Sequence, residues 1–343
     1  MTVRRILIVS PALAQANNGN WQSASRWARI LRAAGHKVAI ANGWSEDAPA
    51  PAPELLIALH ARRSAAALAA FSKAWPRRPS VLVLTGTDLY RDIHSDLTAQ
   101  AALRQATRLV LLQPAGLAEL PAPLRAKACV IYQSAPALRA LDPGRARRHV
   151  DVCMIGHLRH EKDPHTFMRA SALVRAPHAR LLHIGGALEP ALGELARATA
   201  KAEPRYRWLG NLPHGATRQR LKRCHAMVIA SRMEGGANVI IEAVSCGVPV
   251  LASDISGNRG MLGDDYAGYF TPGDAAALAR LIDRCIAEPA FHARLRAQCA
   301  LRAPLFSPQA EQAALRDLVD NLFKQTPPHA GGAPDTLLAR KAP

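Results

Sequence analysis

Short, mostly apolar runs recur along this chain with helix-patterned stretches between them, and they do so in two successive series. The first series is Arg5 to Ser10, Lys37 to Ala41, Leu55 to Leu59, Val81 to Thr85, Arg108 to Leu112 and Ala128 to Tyr132. The second is Val150 to Gly156, Arg180 to Gly185, Tyr206 to Gly210, Ala226 to Ala230 and Val248 to Ser253. A strand that lacks polar alternation is buried on both faces, as in a parallel sheet covered by helices. One intervening stretch, Trp21 to Ala34, places Ala24, Trp27 and Leu31 at helical spacing and stops before Gly35, a natural residue just past a helix end. The predicted fold class is therefore α/β, with two Rossmann-like halves whose parallel sheets face a central cleft. Ligands of such sheets bind beyond the carboxyl ends of the strands.

A length of 343 residues suits two domains of ordinary size. The first is read as 1–138 and the second as 150–308. Between them, 139–149 is polar, basic and interrupted by Pro143-Gly144, which marks a linker. Gln309 to Lys324 carries Leu315, Leu318, Val319, Leu322 and Phe323 on one face, so 309–325 is predicted to close the fold as an amphipathic helix. The Pro-, Gly- and Ala-rich 326–343 reads as a disordered tail.

The formal charge of +18 is compatible with an Arg-rich surface, with an anionic small ligand, or with nucleic acid or an acidic membrane surface. The basic residues are scattered rather than clustered with aromatics, so nucleic acid is not expected as a partner. No run approaches the length of a membrane span, and stable membrane association is not expected. Arg4-Arg5 followed by Ile6 to Val9 imitates a signal peptide, but Pro11 cuts the apolar run short and a buried first strand is expected instead. The six cysteines form no CxxC pair and read as buried thiols of a cytoplasmic protein.

Chemistry concentrates where runs end. After Ala230 comes Ser231-Arg232-Met233-Glu234-Gly235-Gly236-Ala237-Asn238-Val239-Ile240-Ile241-Glu242-Ala243, a Gly-containing loop leading into a helix near Asn238. Free N–H groups at such a helix start suit a diphosphate. A carboxylate about one turn inside, Glu242, can accept two hydrogen bonds from vicinal ribose hydroxyls. The run Gly156-His157-Leu158-Arg159-His160-Glu161-Lys162 offers a tight turn at Gly156 and a lysine that can reach a phosphate. In the first half, Asn17 to Gln22 follows the first strand, and Leu84-Thr85-Gly86-Thr87-Asp88-Leu89-Tyr90-Arg91 and His60-Ala61-Arg62-Arg63-Ser64 follow later ones. Paired arginines at a cleft suggest an anionic acceptor, with plain surface arginine as the alternative.

The string from Glu234 to Glu242 resembles the Glu-x7-Glu motif of family 4 retaining glycosyltransferases. Cys246 to Ser253 and the "GYFTPG" ending at Gly273 are similar to that family too. The resemblance implies a GT-B fold and a nucleotide-sugar donor. Glu234 would contact the donor sugar, Gly235, Gly236, Asn238 and Val239 would hold the phosphates, and Glu242 the ribose. Gly156, Arg159 and Lys162 match the family's diphosphate-gripping "GRLxxEK" segment, with His157 in place of its arginine. Gly19 falls in the loop that lies near donor phosphate, and Asn18 and Asn20 beside it are implied on the acceptor side. Thr85 stands where many members carry a histidine, just before the Gly-Thr-Asp that includes Asp88, and Thr85 and Asp88 join Glu234 as the implied catalytic group. There is no Asp-x-Asp pair, so no metal cofactor is expected: Lys162, the loop N–H groups and the helix end would neutralise the leaving diphosphate.

Within the family, "NNGNWQ", "LHARRSA", "LTGTDLYRD" and "YQSA" are similar to the selenosugar synthases of selenoneine biosynthesis, and that likeness extends to about residue 325. It implies transfer from UDP-GlcNAc or UDP-glucose to selenophosphate, with Arg62, Arg63 and Arg91 on the acceptor phosphate. A soft, already anionic selenium nucleophile needs no general base, which makes Thr85 tolerable. The alternatives are a hydroxyl or lipid acceptor, a UDP-sugar 2-epimerase, and a module that binds a nucleotide sugar without turnover.

Overall fold

In the computed structural model the described residues are 2–11, 19–45, 51–138 and 148–325. Asn18, most of the expected linker and the expected tail lie outside them.

The first sheet is built from β1 (Arg5–Val9), β2 (Lys37–Ala41), β3 (Leu55–Leu59), β4 (Ser80–Leu84), β5 (Arg108–Leu111) and β6 (Ala128–Val130), in the order β2-β1-β3-β4-β5-β6. The second contains β7 (Val150–Ile155), β8 (Ala179–Ile184), β9 (Tyr206–Trp208), β10 (Ala226–Ile229), β11 (Val250–Ser253) and β12 (Tyr269–Phe270), in the order β12-β11-β10-β7-β8-β9. Every pairing is parallel. Both sheets thus reverse their order of growth once, between β1 and β3 and between β7 and β10. Those reversals open the crevices in which α/β sheets take ligands.

The first-half helices are α1 (Gly19–Ala33), α2 (Ala65–Ala74), α3 (Ile93–Ser95) and α4 (Leu97–Gln105), with a π-helical turn at Asp88–Asp92 leading into α3. The second half adds α5 (Pro164–Leu173), α6 (Pro190–Ala202), α7 (His214–Leu221), α8 (Asn238–Ser245), α9 (Ser256–Leu262), α10 (Ala275–Ala287), α11 (Pro289–Arg302) and α12 (Pro308–Gln325). Alternation along β1 divides the first core. Ile6 and Ile8 pack with Trp27 and Leu31 of α1, while Leu7 and Val9 pack with Leu68 and Phe71 of α2.

The helix expected at the end of the chain forms, and its position could not be read from its periodicity. Leu315, Leu318, Val319 and Leu322 of α12 join α1 on the first sheet, so the chain crosses back to the domain where it began. Glu311 anchors that return. It is almost fully buried, and its carboxylate accepts hydrogen bonds from Arg26 Nε (2.7 Å), Trp27 Nε1 (2.8 Å) and Ser134 Oγ (2.5 Å). A buried carboxylate is tolerated only with such partners.

Two sequence expectations are corrected. Gly19 and Asn20 belong to the first turn of α1, because the helix starts two residues before Trp21. The short edge strand β12 was not anticipated, since two residues cannot display a period.

Removing the Glu311 carboxylate would leave the Arg26 guanidinium buried without its counter-charge. Glu311→Ala is expected to destabilise the protein by about 3 kcal/mol, read as a fall in the chemical-denaturation midpoint.

Candidate active site

The loops after β7 and β10 are neighbours at the second sheet's reversal, and they carry the two strongest sequence signals. Glu234 is buried, and its Oε1 accepts from Lys162 Nζ at 2.5 Å and from Ser231 Oγ at 2.5 Å. The acid and the lysine expected to grip the donor are therefore in direct contact. Arg159 stands in the same loop as Lys162. Its Nε is buried and has no hydrogen-bond partner among the described residues.

Helix α8 starts at Asn238, so the N–H groups of Asn238 and Val239 lie in its first turn. Helix α1 starts opposite: a Cβ on Gly19 would lie 3.7 Å from Asn238 Nδ2. The starts of two helices, one from each domain, thus meet across the cleft, an arrangement suited to an anion. Glu242, one turn inside α8, is also buried and accepts a 2.6 Å hydrogen bond from His214 Nε2 on α7. That bond raises the His214 pKa against the effect of burial. It also fixes the orientation of the carboxylate expected to meet the ribose.

The domains touch at this loop, backbone to backbone. A Cβ on Gly235 would lie 2.4 Å from Thr85 O, and one on Gly236 would lie 2.4 Å from Leu112 Cβ. These glycines are required by the first domain's approach as well as by any phosphate. Gly156 has the reverse outcome. A Cβ there would meet only the Lys162 chain, at 3.6 Å, so no tight turn depends on it. The residue that must be glycine is Gly185, whose Cβ would overlap Gly156 O. His157 accepts a 3.1 Å hydrogen bond from Gly186 N at Nδ1, and burial, with Arg159 and Lys162 beside it, lowers its pKa.

On the first-domain side, Thr85 follows β4 and lies against Gly235. Asp88 is fully buried. Its Oδ1 accepts from Thr85 N (2.9 Å) and Gly86 N (2.8 Å), and its Oδ2 accepts from Ala61 N (2.9 Å). Its carboxylate shapes the Thr85–Gly86 turn and ties it to the end of β3.

The three arginines do not form one cluster. Arg62 is exposed and pairs with Asp96, the residue capping α4, at 2.9 Å. Arg63 is exposed beside it. Arg91 pairs with Asp92 at 3.2 Å and lies 3.8 Å from Glu161 of the second domain. Only Arg91 bridges the domains. Sequence reasoning missed His214, whose partner Glu242 lies 28 positions away, and it named Ser231 without a role.

Among the described residues, the group of His, Cys and acidic side chains close enough to share a metal is His225, Cys285 and His292. It lies at the amino end of β10, away from the cleft. The two imidazoles stack at 3.9 Å between centroids and 15° between planes, and each donates from Nε2 to a backbone carbonyl. Lone pairs in parallel planes do not converge on one ion.

Two substitutions test this geometry. Glu242→Gln is expected to weaken UDP binding by about tenfold or more, the worth of a charged hydrogen bond. Gly236→Ala is expected to weaken it too, by pushing Leu112 and the domains apart; isothermal titration of UDP reads both.

The family model for "Glycosyl transferases group 1" matches residues 143–303. Two curated relatives are D-inositol 3-phosphate glycosyltransferases. That of Frankia alni is 35% identical over 82 residues, which is 24% of this chain and 20% of the relative. That of Nocardiopsis dassonvillei is 30% identical over 170 residues, 45% of this chain and 38% of the relative. The matches therefore span well under half of these relatives' lengths. Among solved structures, sucrose-phosphate synthase of Thermosynechococcus elongatus superposes with a TM-score of 0.76 at 17% identity, covering 94% of this chain and 99% of the other. Anabaena HepE in complex with UDP-glucose superposes with a TM-score of 0.75 at 18% identity, covering 93% and 100%. Among the described residues no helix is long and apolar enough to cross a membrane. The family model's match falls on the second domain and its flanks, and the fold of the whole is two Rossmann-like domains in the GT-B arrangement.

Proposed function

We propose that the protein transfers a sugar from a UDP-sugar, UDP-GlcNAc or UDP-glucose, to selenophosphate. The observations that carry the donor half are the Lys162–Glu234 contact and the meeting of the α1 and α8 starts across the interdomain cleft. Glu242, one turn inside α8, would meet the ribose. HepE structures with UDP and with UDP-glucose share this fold, which supports the same donor class.

Lys162 Nζ donates to Glu234 Oε1. A bound diphosphate would draw the ammonium onto its own oxygens and free the Glu234 carboxylate for the sugar hydroxyls. Arg159 has an unpartnered N–H for the same anion. Selenium then attacks the anomeric carbon with a lone pair. The bond from that carbon to the β-phosphate oxygen breaks, and UDP leaves with the bonding electrons. Negative charge grows on the diphosphate, where Lys162 and the helix ends meet it in a site shielded from water. No proton has to be removed from an ionised acceptor, so Thr85 in place of a histidine is no obstacle. The relatives named for inositol 3-phosphate also point to phosphate-bearing acceptors.

Incubation of the protein with UDP-GlcNAc or UDP-glucose and selenophosphate, under argon and with EDTA, is expected to give a selenium isotope pattern on a hexose-derived mass. UDP release without that product would return the acceptor to the hydroxyl and lipid classes. Loss of activity in EDTA, regained with Mg²⁺ or Mn²⁺, would overturn the metal-free part. Lys162→Ala is expected to lower kcat by about 100-fold, the scale for removing one preorganised donor.

A further inference from the structure

We propose that His60 is a positioning residue of the acceptor site: its imidazole donates from Nε2 to Thr87 Oγ1 and so turns the Thr87 hydroxyl into a hydrogen-bond donor for a phosphate-type oxyanion. This rests on the anionic-acceptor reading above and assigns residues to its acceptor half.

His60 directly follows β3, at the reversal point of the first sheet, where that sheet's crevice opens. Its φ is +74°, a left-handed conformation that is uncommon outside glycine and that persists where the surroundings enforce it. The surroundings do so here. His60 N donates to Val83 O, Ser64 N donates to His60 O, and the next residue's N–H is held by Asp88. The side chain is only 3% exposed. Such confinement aims the ring rather than presenting it to solvent.

The proton assignment follows from the partners. Nδ1 accepts from the Arg63 backbone N–H at 3.4 Å and must be bare, so the ring proton is on Nε2. Nε2 lies 3.2 Å from Thr87 Oγ1, whereas Asp92 Oδ2 is 3.9 Å away, beyond hydrogen-bond reach. Burial, together with the Arg63 charge, lowers the imidazole pKa against the pull of Asp88 and Asp92, which agrees with the neutral ring. Thr87 Oγ1 accepts the ring proton. Its own proton has no partner among the described residues and is available to a ligand.

Thr87 is half-buried and follows Gly86, which packs against Gly235 beside Glu234. Thr87 is thus one residue from the point where the first domain meets the donor loop. A neutral His60 with Nδ1 occupied and Nε2 protonated presents no base to the acceptor. It presents, through Thr87, a donor. That polarity suits an acceptor that arrives ionised and disfavours one whose hydroxyl must lose a proton.

Phosphate binding to the UDP-saturated enzyme tests this apart from turnover, because UDP fills the diphosphate site. Inorganic phosphate would be titrated calorimetrically into the UDP complexes of the wild type, Thr87→Val, His60→Asn and His60→Gln. Thermal midpoints would verify folding. Asparagine tolerates the backbone conformation but falls short of Thr87; glutamine places an amide N–H near the Nε2 position. Thr87→Val and His60→Asn are expected to weaken phosphate by about tenfold or more, the scale of a hydrogen bond to a charged group. His60→Gln should recover most of the affinity, and UDP affinity should be unchanged throughout. Absence of phosphate binding, equal affinity in Thr87→Val and wild type, or equal losses in the asparagine and glutamine variants would each overturn the proposal. Thr87-dependent phosphate binding with no selenosugar formed would leave it standing and refute the selenophosphate reading alone.

Discussion

The two domains meet where the second has no room for a side chain. The Thr85 carbonyl and the Leu112 side chain occupy the space that a Cβ at positions 235 and 236 would need. Gln113 does the same at Gly260, where its Oε1 would lie 1.8 Å from the added Cβ. Because the second domain offers bare backbone along this line, the strand ends of the first domain can stand directly against the Glu234 loop. The start of α1 then comes within reach of the start of α8. The meeting of two helix starts across the cleft, and the placement of Thr85 and Thr87 beside the donor loop, both follow from that approach.

Electrostatics inside the cleft is organised around a balance that a ligand must change. Glu234 is a buried carboxylate engaged by Lys162 and Ser231, and Glu242 is likewise engaged by His214. Each acid is already in a hydrogen-bonded orientation before any sugar arrives, which removes part of the ordering cost of binding. Arg159 adds a buried N–H without a partner among the described residues. Lys162, Arg159 and the helix ends leave the cleft in want of an anion, in keeping with a chain whose formal charge is +18. Asp88 shows the other use of a buried acid. Its charge is matched to three backbone N–H groups, and it holds β3 and β4 at a set spacing so that His60 and Thr85 keep their places.

The cleft is also tied from behind. Helix α12 runs from the second domain onto the first sheet, and Glu311 locks it to Arg26 and Trp27 of α1. Tyr132 adds a second tie, donating to Gly260 O at 3.1 Å and accepting from Arg302 Nη2 at 3.2 Å. Helix α1, which brings one of the two positive ends into the cleft, is thereby braced by the last helix of the chain.

What could be read from the residues is what local chemistry decides. Apolar runs without alternation announced parallel strands to within one or two residues, because burial on both faces favours apolar side chains along the central strands. The start of α8 at Asn238 and its distance to Glu242 were legible because Gly-Gly interrupts the pattern and helical spacing follows. Contacts between residues distant in the chain were not legible. No periodicity connects His214 to Glu242, Arg62 to Asp96, or Glu311 to Arg26, since each pair depends on how separate elements pack. The same limit hid the tie between Asp88 and the backbone of Ala61, 27 positions away. It also explains why Gly156, rather than Gly185, looked like the obligatory glycine. Sequence determined that two parallel sheets form and which residue types stand at the crevice. Tertiary structure alone decided which of those residues face one another, because hydrogen bonds and close approaches act over a few ångströms of space and not along the chain.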